Sequence, residues 1–332
     1  MLYCSMHHQR FVSLFRDVLS TPTAPFHEYH VAATIRKWLS ELHHVTVESD
    51  RYGNLIAQYK KGRSKARLAY AAHMDHPGWV KYEGKNEFLG WVPEERLDSH
   101  EIEWFGPFGM WKLNPFAIDD GMIRARVCDD LIGCAAIIAL FMELEEREED
   151  AHVFGLFTRA EEVGFNGAVA MAKDWPLPNG VRFVSLETSS PRGGAEIGEG
   201  PAIRVGDRMS VFDDSVTAEL VDAATSGKIA HQRCLLDGGS CEATAMNVFG
   251  IPAAGISVLL GNYHNVPEKE GIAEEFVSLA DTKNLVKLIL ATTLRMADPK
   301  TESSKVALKK RLEKRLREHA KYEKAARKFW SQ

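Results

Sequence analysis

The run Val153 to Phe157, which carries no polar side chain, passes directly into Thr158-Arg159-Ala160-Glu161-Glu162-Val163-Gly164-Phe165-Asn166-Gly167. Such a run, closed by a polar turn, is expected of a strand buried on both faces, the kind found in sheets covered by helices. Gly164 and Gly167 then let the chain turn into a helix. Two adjacent carboxylates therefore stand at the end of a buried strand. Their side chains diverge, so one can meet a cation while its neighbour moves a proton. By itself a Glu-Glu pair is far more often a solvated acidic turn, and its weight depends on what the rest of the chain supplies.

The rest of the chain repeats the arrangement. Leu68 to Ala72 reads as a buried strand leading into His73-Met74-Asp75, Phe183 to Leu186 leads into Glu187, and Pro252 to Leu259 is followed by Asn262-Tyr263-His264. Arg124 to Val127 is a further strand, and Cys128-Asp129-Asp130 after it opens an apolar helix through about Leu144. In sheets of this kind ligands lie beyond the carboxyl ends of the strands. One residue apart, His73 can face a metal while Asp75 orients its ring. Asp129 can cap its helix or bridge two cations. Each motif is weak alone. Together His73, Asp129, Glu162, Glu187 and His264, with Asp75 and Glu161 beside them, make a dinuclear metal-site inventory. Two imidazoles and three carboxylates suit zinc, cobalt or manganese.

Elsewhere Phe11, Leu14, Phe15 and Val18 recur at helical spacing, and helices are expected over Glu28 to Leu42, Asp213 to Thr225 and Phe276 to Met296. Val45 to Glu48 and Leu55 to Tyr59 read as a hairpin about Asp50-Arg51-Tyr52-Gly53-Asn54, and Ala202 to Val205 and Ala230 to Leu235 as strands. Between Lys81 and Ile123 the pattern breaks into short aromatic and glycine-rich pieces, a small β insertion. From Thr301 onward the chain is polar and basic and reads as a separate charged helix without a role in chemistry.

With 332 residues, 45% of them hydrophobic, the chain can form one large α/β domain or two smaller ones. The net charge of -5 gives no indication of a nucleic-acid partner. Five cysteines without a CxxC pair argue against a disulfide framework or zinc ribbon and for reduced thiols in the cytosol. The stretch from Met1 to Arg16 lacks the pattern of a signal peptide, and no run has membrane-spanning length.

In His73-Met74-Asp75, Asp129-Asp130-Leu131-Ile132-Gly133-Cys134, Glu161-Glu162-Val163-Gly164, Gly238-Gly239-Ser240 and Tyr263-His264, the sequence resembles the M42 metallo-aminopeptidases of the co-catalytic zinc peptidase clan. The resemblance runs from Phe11 to about Met296. It implies an α/β, mixed-sheet, phosphorylase/hydrolase-like catalytic domain built from residues 1–80 and 124–299, with a small β insertion at 81–123 and a basic helical tail at 300–332. It also implies two divalent metal ions, zinc first and cobalt or manganese as alternatives. His73 and Glu187 would hold one and Glu162 and His264 the other, with Asp129 bridging, Glu161 as general base and Asp75 orienting His73.

Three features depart from the family pattern: Glu187 stands where aspartate is usual, Cys241 follows the glycines where Thr-Asp is usual, and the insertion is short. The M20 relatives carry their extra domain between the equivalents of Glu187 and His264, whereas the irregular β segment here precedes Asp129, which favours M42. The implied reaction is removal of N-terminal residues from peptides. An M20-like carboxypeptidase or deacylase, and an inactive binding protein of the same fold, are the alternatives. Because stable interfaces bury about 1,200 to 2,000 Å², the short insertion leads to the expectation of a cytoplasmic homo-oligomer smaller than a dodecamer, with a peptide substrate and neither nucleic acid nor membrane as partner.

Overall fold

The computed structural model describes residues 8–298 and 303–330. Cys4, the part of the signal-peptide reading that concerns Met1 to His7, and Thr301 at the head of the tail lie outside the described residues. The chain opens with helices α1 (His8–Leu19) and α2 (Tyr29–Leu39), which bury Phe11, Leu14, Phe15 and Val18, and Val31, Ile35 and Leu39, at the spacing an amphipathic helix requires. Strands β1 (Val45–Ser49) and β2 (Leu55–Lys60) form the expected hairpin. Its turn is fastened by Asp50, whose Oδ1 accepts the N–H groups of Tyr52, Gly53 and Asn54 at 2.8 to 2.9 Å. Strand β3 (Leu68–His73) is buried along its whole length.

Strands β4 (Gly78–Tyr82), β5 (Lys85–Leu89), β6 (Ile102–Phe105) and β7 (Phe108–Trp111) make a separate antiparallel sheet in the order β5-β4-β7-β6. Trp79, Phe88 and Trp111 pack on one another there, with ring centroids 4.9 to 5.8 Å apart, so these aromatics serve packing. Strands β8 (Ala117–Asp119) and β9 (Met122–Ala125) leave that sheet and extend the larger one.

The remaining elements are α3 (Leu131–Glu146), β10 (His152–Thr158), α4 (Asn166–Lys173), β11 (Arg182–Ser189), β12 (Ala202–Arg204), α5 (Asp214–Gly227), β13 (Gln232–Cys234), α6 (Glu242–Val248), β14 (Ala253–Gly261), β15 (Glu275–Ser278), α7 (Leu279–Ala297) and α8 (Ser304–Trp330). Apolar on every side, α3 is buried from Leu131 to Leu144.

The large sheet is mixed and runs β1-β2-β10-β3-β11-β14. Its middle strands β10, β3, β11 and β14 are mutually parallel. Strand β14 then serves two branches, pairing with β12 along Gly255 to Ser257 and with β15 at Leu260 and Gly261, and β15 carries β9 and β8. Helices α1, α2, α3, α7 and α5 pack in one group and α4 with α6 in another.

Two expected elements differ. The helix expected from Phe276 begins at Leu279, because Glu275 to Ser278 pair with both β14 and β9 as a strand, and the Ser278 hydroxyl then accepts the Asp281 N–H at the helix start. The strand expected over Ala230 to Leu235 contracts to Gln232–Cys234, which has one partner strand, β12. The basic tail is a helix tied at its first turn, where Ser304 N and Lys305 Nζ meet Asp222 and Asp214 at 2.7 and 2.6 Å.

Candidate metal centre

Register brings the predicted residues together. Thr158 pairs with His73 across β10 and β3, and Ser185 pairs with Ala71 across β11 and β3, so His73, the Glu161-Glu162 turn and Glu187 emerge side by side from parallel strands. His264 follows the end of β14 by three residues, and Asp129 precedes α3 by two. All seven predicted residues reach one buried region.

The contacts form two sets sharing Asp129. His73 Nε2 lies 3.5 Å from Asp129 Oδ1 and 3.9 Å from Glu187 Oε2. His264 Nε2 lies 3.1 Å from Glu162 Oε2 and 3.7 Å from Asp129 Oδ2. Within each of the sets His73–Asp129–Glu187, Asp129–Glu162–His264 and His73–Glu161–Glu162, one donor atom per residue lies within 4.8 Å of the others. The other ring nitrogen of each histidine faces a main-chain carbonyl, with His73 Nδ1 3.1 Å from Asp75 O and His264 Nδ1 2.6 Å from Trp91 O.

The supporting bonds are as specific as the cluster. Asp75 accepts Glu161 N at Oδ1 (2.9 Å) and Glu162 N at Oδ2 (3.1 Å), so it holds the acidic turn as well as standing 3.6 Å from His73 Nδ1. The turn itself needs two glycines. Gly164 has φ +109°, and a Cβ on Gly167 would lie 2.3 Å from Asn54 Oδ1 and 2.6 Å from Arg159 N. Ser185 donates to Glu187 Oε1 at 2.9 Å. Glu275 accepts Cys128 N, Asp129 N and His264 N at 2.6, 3.0 and 2.9 Å, coupling the loops that carry Asp129 and His264. His76 spans Asp129 O and Asn265 Oδ1 at 2.9 and 3.0 Å.

This much negative charge out of water is costly unless a cation offsets it. Burial, with the neighbouring acids only partly countered by His73, holds the Glu161 carboxyl well above its usual range and Glu187 at about 8. Burial opposes the charged form of both histidines, but the surrounding carboxylates outweigh it, raising His73 well above its usual value and His264 to about 9. Asp129 Oδ1, Glu162 Oε1 and His264 Nε2 are buried without a hydrogen-bond partner among the described groups. Unsatisfied atoms on three of these residues, with His73 and Glu187 beside them and excess negative charge, fit a divalent cation.

The cluster floors a cavity of about 350 Å³ whose wall includes Trp91, Phe165, Arg204, Ser240 and Tyr263. Sequence reasoning missed Arg204, Glu275, His76 and Glu242. Arg204 is 3% exposed; among the described residues its Nε has no hydrogen-bond partner, and its other bonds, to Ser257 Oγ and Leu236 O, are 3.5 and 3.4 Å long. Glu242 is fully buried on the first residue of α6, where burial raises its carboxyl to about 7. Single charged residues in otherwise ordinary segments, these four carry no local signature.

A cavity floored by clustered carboxylates and imidazoles, at the carboxyl ends of parallel strands, defines a metal-dependent hydrolase of α/β fold. The sequence model of the M42 glutamyl aminopeptidases matches residues 94–288. The chain belongs to that family, and it is a metal-dependent aminopeptidase that hydrolyses peptide bonds. A protein of Acetivibrio thermocellus described as a candidate aminopeptidase is 27% identical over 297 residues, with 74% of this chain and 87% of its own covered. The dodecamer PhTET1-12s shares the fold with a TM-score of 0.71 at 21% identity, over 87% of this chain and 99% of its own. The TET1 peptidase of Pyrococcus horikoshii, which can assemble into a tetrahedron or a large octahedral shell, gives 0.71 at 21% identity over 85% and 99%.

These assemblies correct the expectation of an oligomer smaller than a dodecamer. That expectation assumed a reduced insertion, yet the match covers 99% of the length of a dodecamer subunit, so no domain-sized segment of that subunit lacks a counterpart here. Among the described residues no helix is long and apolar enough to cross a membrane.

Proposed function

We propose that the protein removes N-terminal residues from peptides with two divalent cations, one held by His73, Asp129 and Glu187 and the other by Asp129, Glu162 and His264. Zinc is the first choice by donor set, with cobalt or manganese as alternatives. When bound, such cations polarise the scissile carbonyl and acidify the attacking water. Glu161 takes the proton from that water and returns it to the departing amine. Asp75 fixes the main chain of Glu161 and Glu162 and stands behind His73. The observation that carries this reading is the pair of donor sets sharing Asp129, with Glu161 in reach of both His73 and Glu162. The four free thiols among the described residues support a cytoplasmic location.

In Glu161→Gln, turnover of an aminoacyl anilide is expected to fall about 10²- to 10⁴-fold while metal content stays at the wild-type level. A metal-loaded Glu161→Gln protein with near-normal turnover would overturn the assignment.

Arg204 supports a finer reading, that the residue removed is acidic, in keeping with the glutamyl substrates of the family description. A buried guanidinium is ordinarily paired, whereas this one lines the cavity with its Nε free of any hydrogen bond among the described residues, and Glu187 and Asp207 act on its charge without a direct ion pair. Replacing it in Arg204→Leu should lower kcat/KM for a glutamyl anilide at least tenfold relative to a leucyl anilide. An unchanged ratio would remove the acidic preference and leave the hydrolytic mechanism standing.

A further inference from the structure

Three consecutive main-chain N–H groups in the acidic turn donate to side-chain carboxylates. Glu161 and Glu162 donate to Asp75, as above, and Ala160 N donates to Glu28 Oε1 at 3.0 Å. Ala160 has φ +51°, a left-handed conformation that a residue with a Cβ adopts at a cost and keeps only when its surroundings hold it. Glu28 Oε1 also accepts the N–H of Phe26, whose φ is +67°, at 2.8 Å. One carboxylate oxygen thus anchors two left-handed residues on separate loops. Its other oxygen accepts Arg159 Nε at 2.8 Å, and the same guanidinium donates to Tyr52 O at 2.8 Å and Phe26 O at 3.0 Å.

Glu28 stands at the position before α2 where a side chain commonly caps the helix, yet it makes no cap bond there. It is 1% exposed and does not line the cavity, so its bonding is directed to the turn.

We propose that Glu28 is a positioning residue for Glu161, acting by fixing the left-handed turn at Ala160. The inference rests on the general-base reading of Glu161. The direction of the Glu161 side chain follows from the dihedral angles of the residue before it and from the anchoring of its own N–H. Asp75 supplies the second anchor and Glu28 the first. In Glu28→Gln the amide presents a donor where Arg159 Nε–H or the two main-chain N–H groups need an acceptor. Ala160 can then relax, and Glu161 moves while Glu162 stays held by Asp75.

Misplacement of a reacting group by about an ångström costs on the order of 10²-fold in rate, so loss of one of two anchors is expected to lower kcat about tenfold or more. KM should stay within about twofold, and metal content should match wild type.

The test is steady-state kinetics and metal analysis of Glu28→Gln, Glu161→Gln and the double variant in the full chain. The expected result is a kcat loss of about tenfold or more in Glu28→Gln and a double variant no slower than Glu161→Gln alone, because residues acting as one unit are not additive. A folded, metal-loaded Glu28→Gln with kcat within twofold of wild type would overturn the proposal. So would a double variant that repeats the full tenfold loss, which marks general damage to the fold. Should Glu28→Gln fail to fold, Glu28→Asp keeps the charge, falls one methylene short of Ala160 N and is read by the same criteria. Activity surviving in Glu161→Gln would remove the general-base reading itself, whereas an inactive Glu161→Gln beside a fully active Glu28 variant would remove only this inference.

Discussion

His73 and His264 share one device: each ring nitrogen Nδ1 faces a main-chain carbonyl, so each Nε2 is left among carboxylates. Without a cation, protons must balance that charge, and the pH dependence follows. Glu187 is raised from 4.5 to about 8, so the metal-free fold loses stability as pH rises across that interval. His264 is raised from 6.5 to about 9, so its contribution is whole below 6.5 and is lost as pH rises through about 9. Both signs agree. A bound cation displaces these protons, so the gain in Tm on adding zinc to EDTA-treated protein is expected to grow from pH 5 to pH 9. A gain that stays constant or shrinks over that range would contradict the charge balance. At this scale the proposed ligands His73, Glu162 and Glu187 stood out in the sequence because each follows a run of mostly apolar residues, whereas Asp129 follows a strand that carries two arginines. Arg204, Glu275 and Glu28 did not stand out, because their meaning lies in contacts with residues 32, 147 and 132 positions away.

Among the elements, α5 illustrates how local chemistry fixes a boundary. Asp213 Oδ1 accepts the N–H groups of Ser215 and Val216 at 2.9 Å, the bonding of a helix N-cap. Burial raises the Asp213 carboxyl, but bonds from the Ser215 side chain and from the Val216 and Ser215 N–H groups outweigh it, and the net shift is downward from 3.8. The contribution is therefore whole above about pH 4 and is lost as pH falls through the depressed value. Asp213→Ala should cost about 1 kcal/mol in urea unfolding at pH 7, with the difference from wild type shrinking toward pH 3. Equal losses at the two pH values would show that the carboxylate is not what matters. The boundary of α5 was legible for this reason, and those of β3 and β14 because buried parallel strands read as apolar runs. The start of α7 was not, since nothing local distinguishes Phe276 and Val277 on a strand from the apolar face of a helix. Pairing with β14 and β9 decides it.

For the whole molecule, the order β10-β3-β11-β14 carries the account, because four parallel strands deliver their carboxyl ends to one place and β15 and β9 bring Asp129 against His264. Neither this order nor the size of the assemblies formed by TET1 could be read from motif spacing, since both depend on contacts between distant segments or separate subunits. The central claim, that one carboxylate joins two cation sites, is tested most directly by anomalous diffraction at the zinc edge from crystals of the zinc-loaded protein. The account predicts two peaks, one between His73 Nε2 and Glu187 and one between Glu162 and His264 Nε2, each about 2.0 to 2.2 Å from an oxygen of Asp129. A single peak, or two peaks of which one lies out of reach of Asp129, would contradict it.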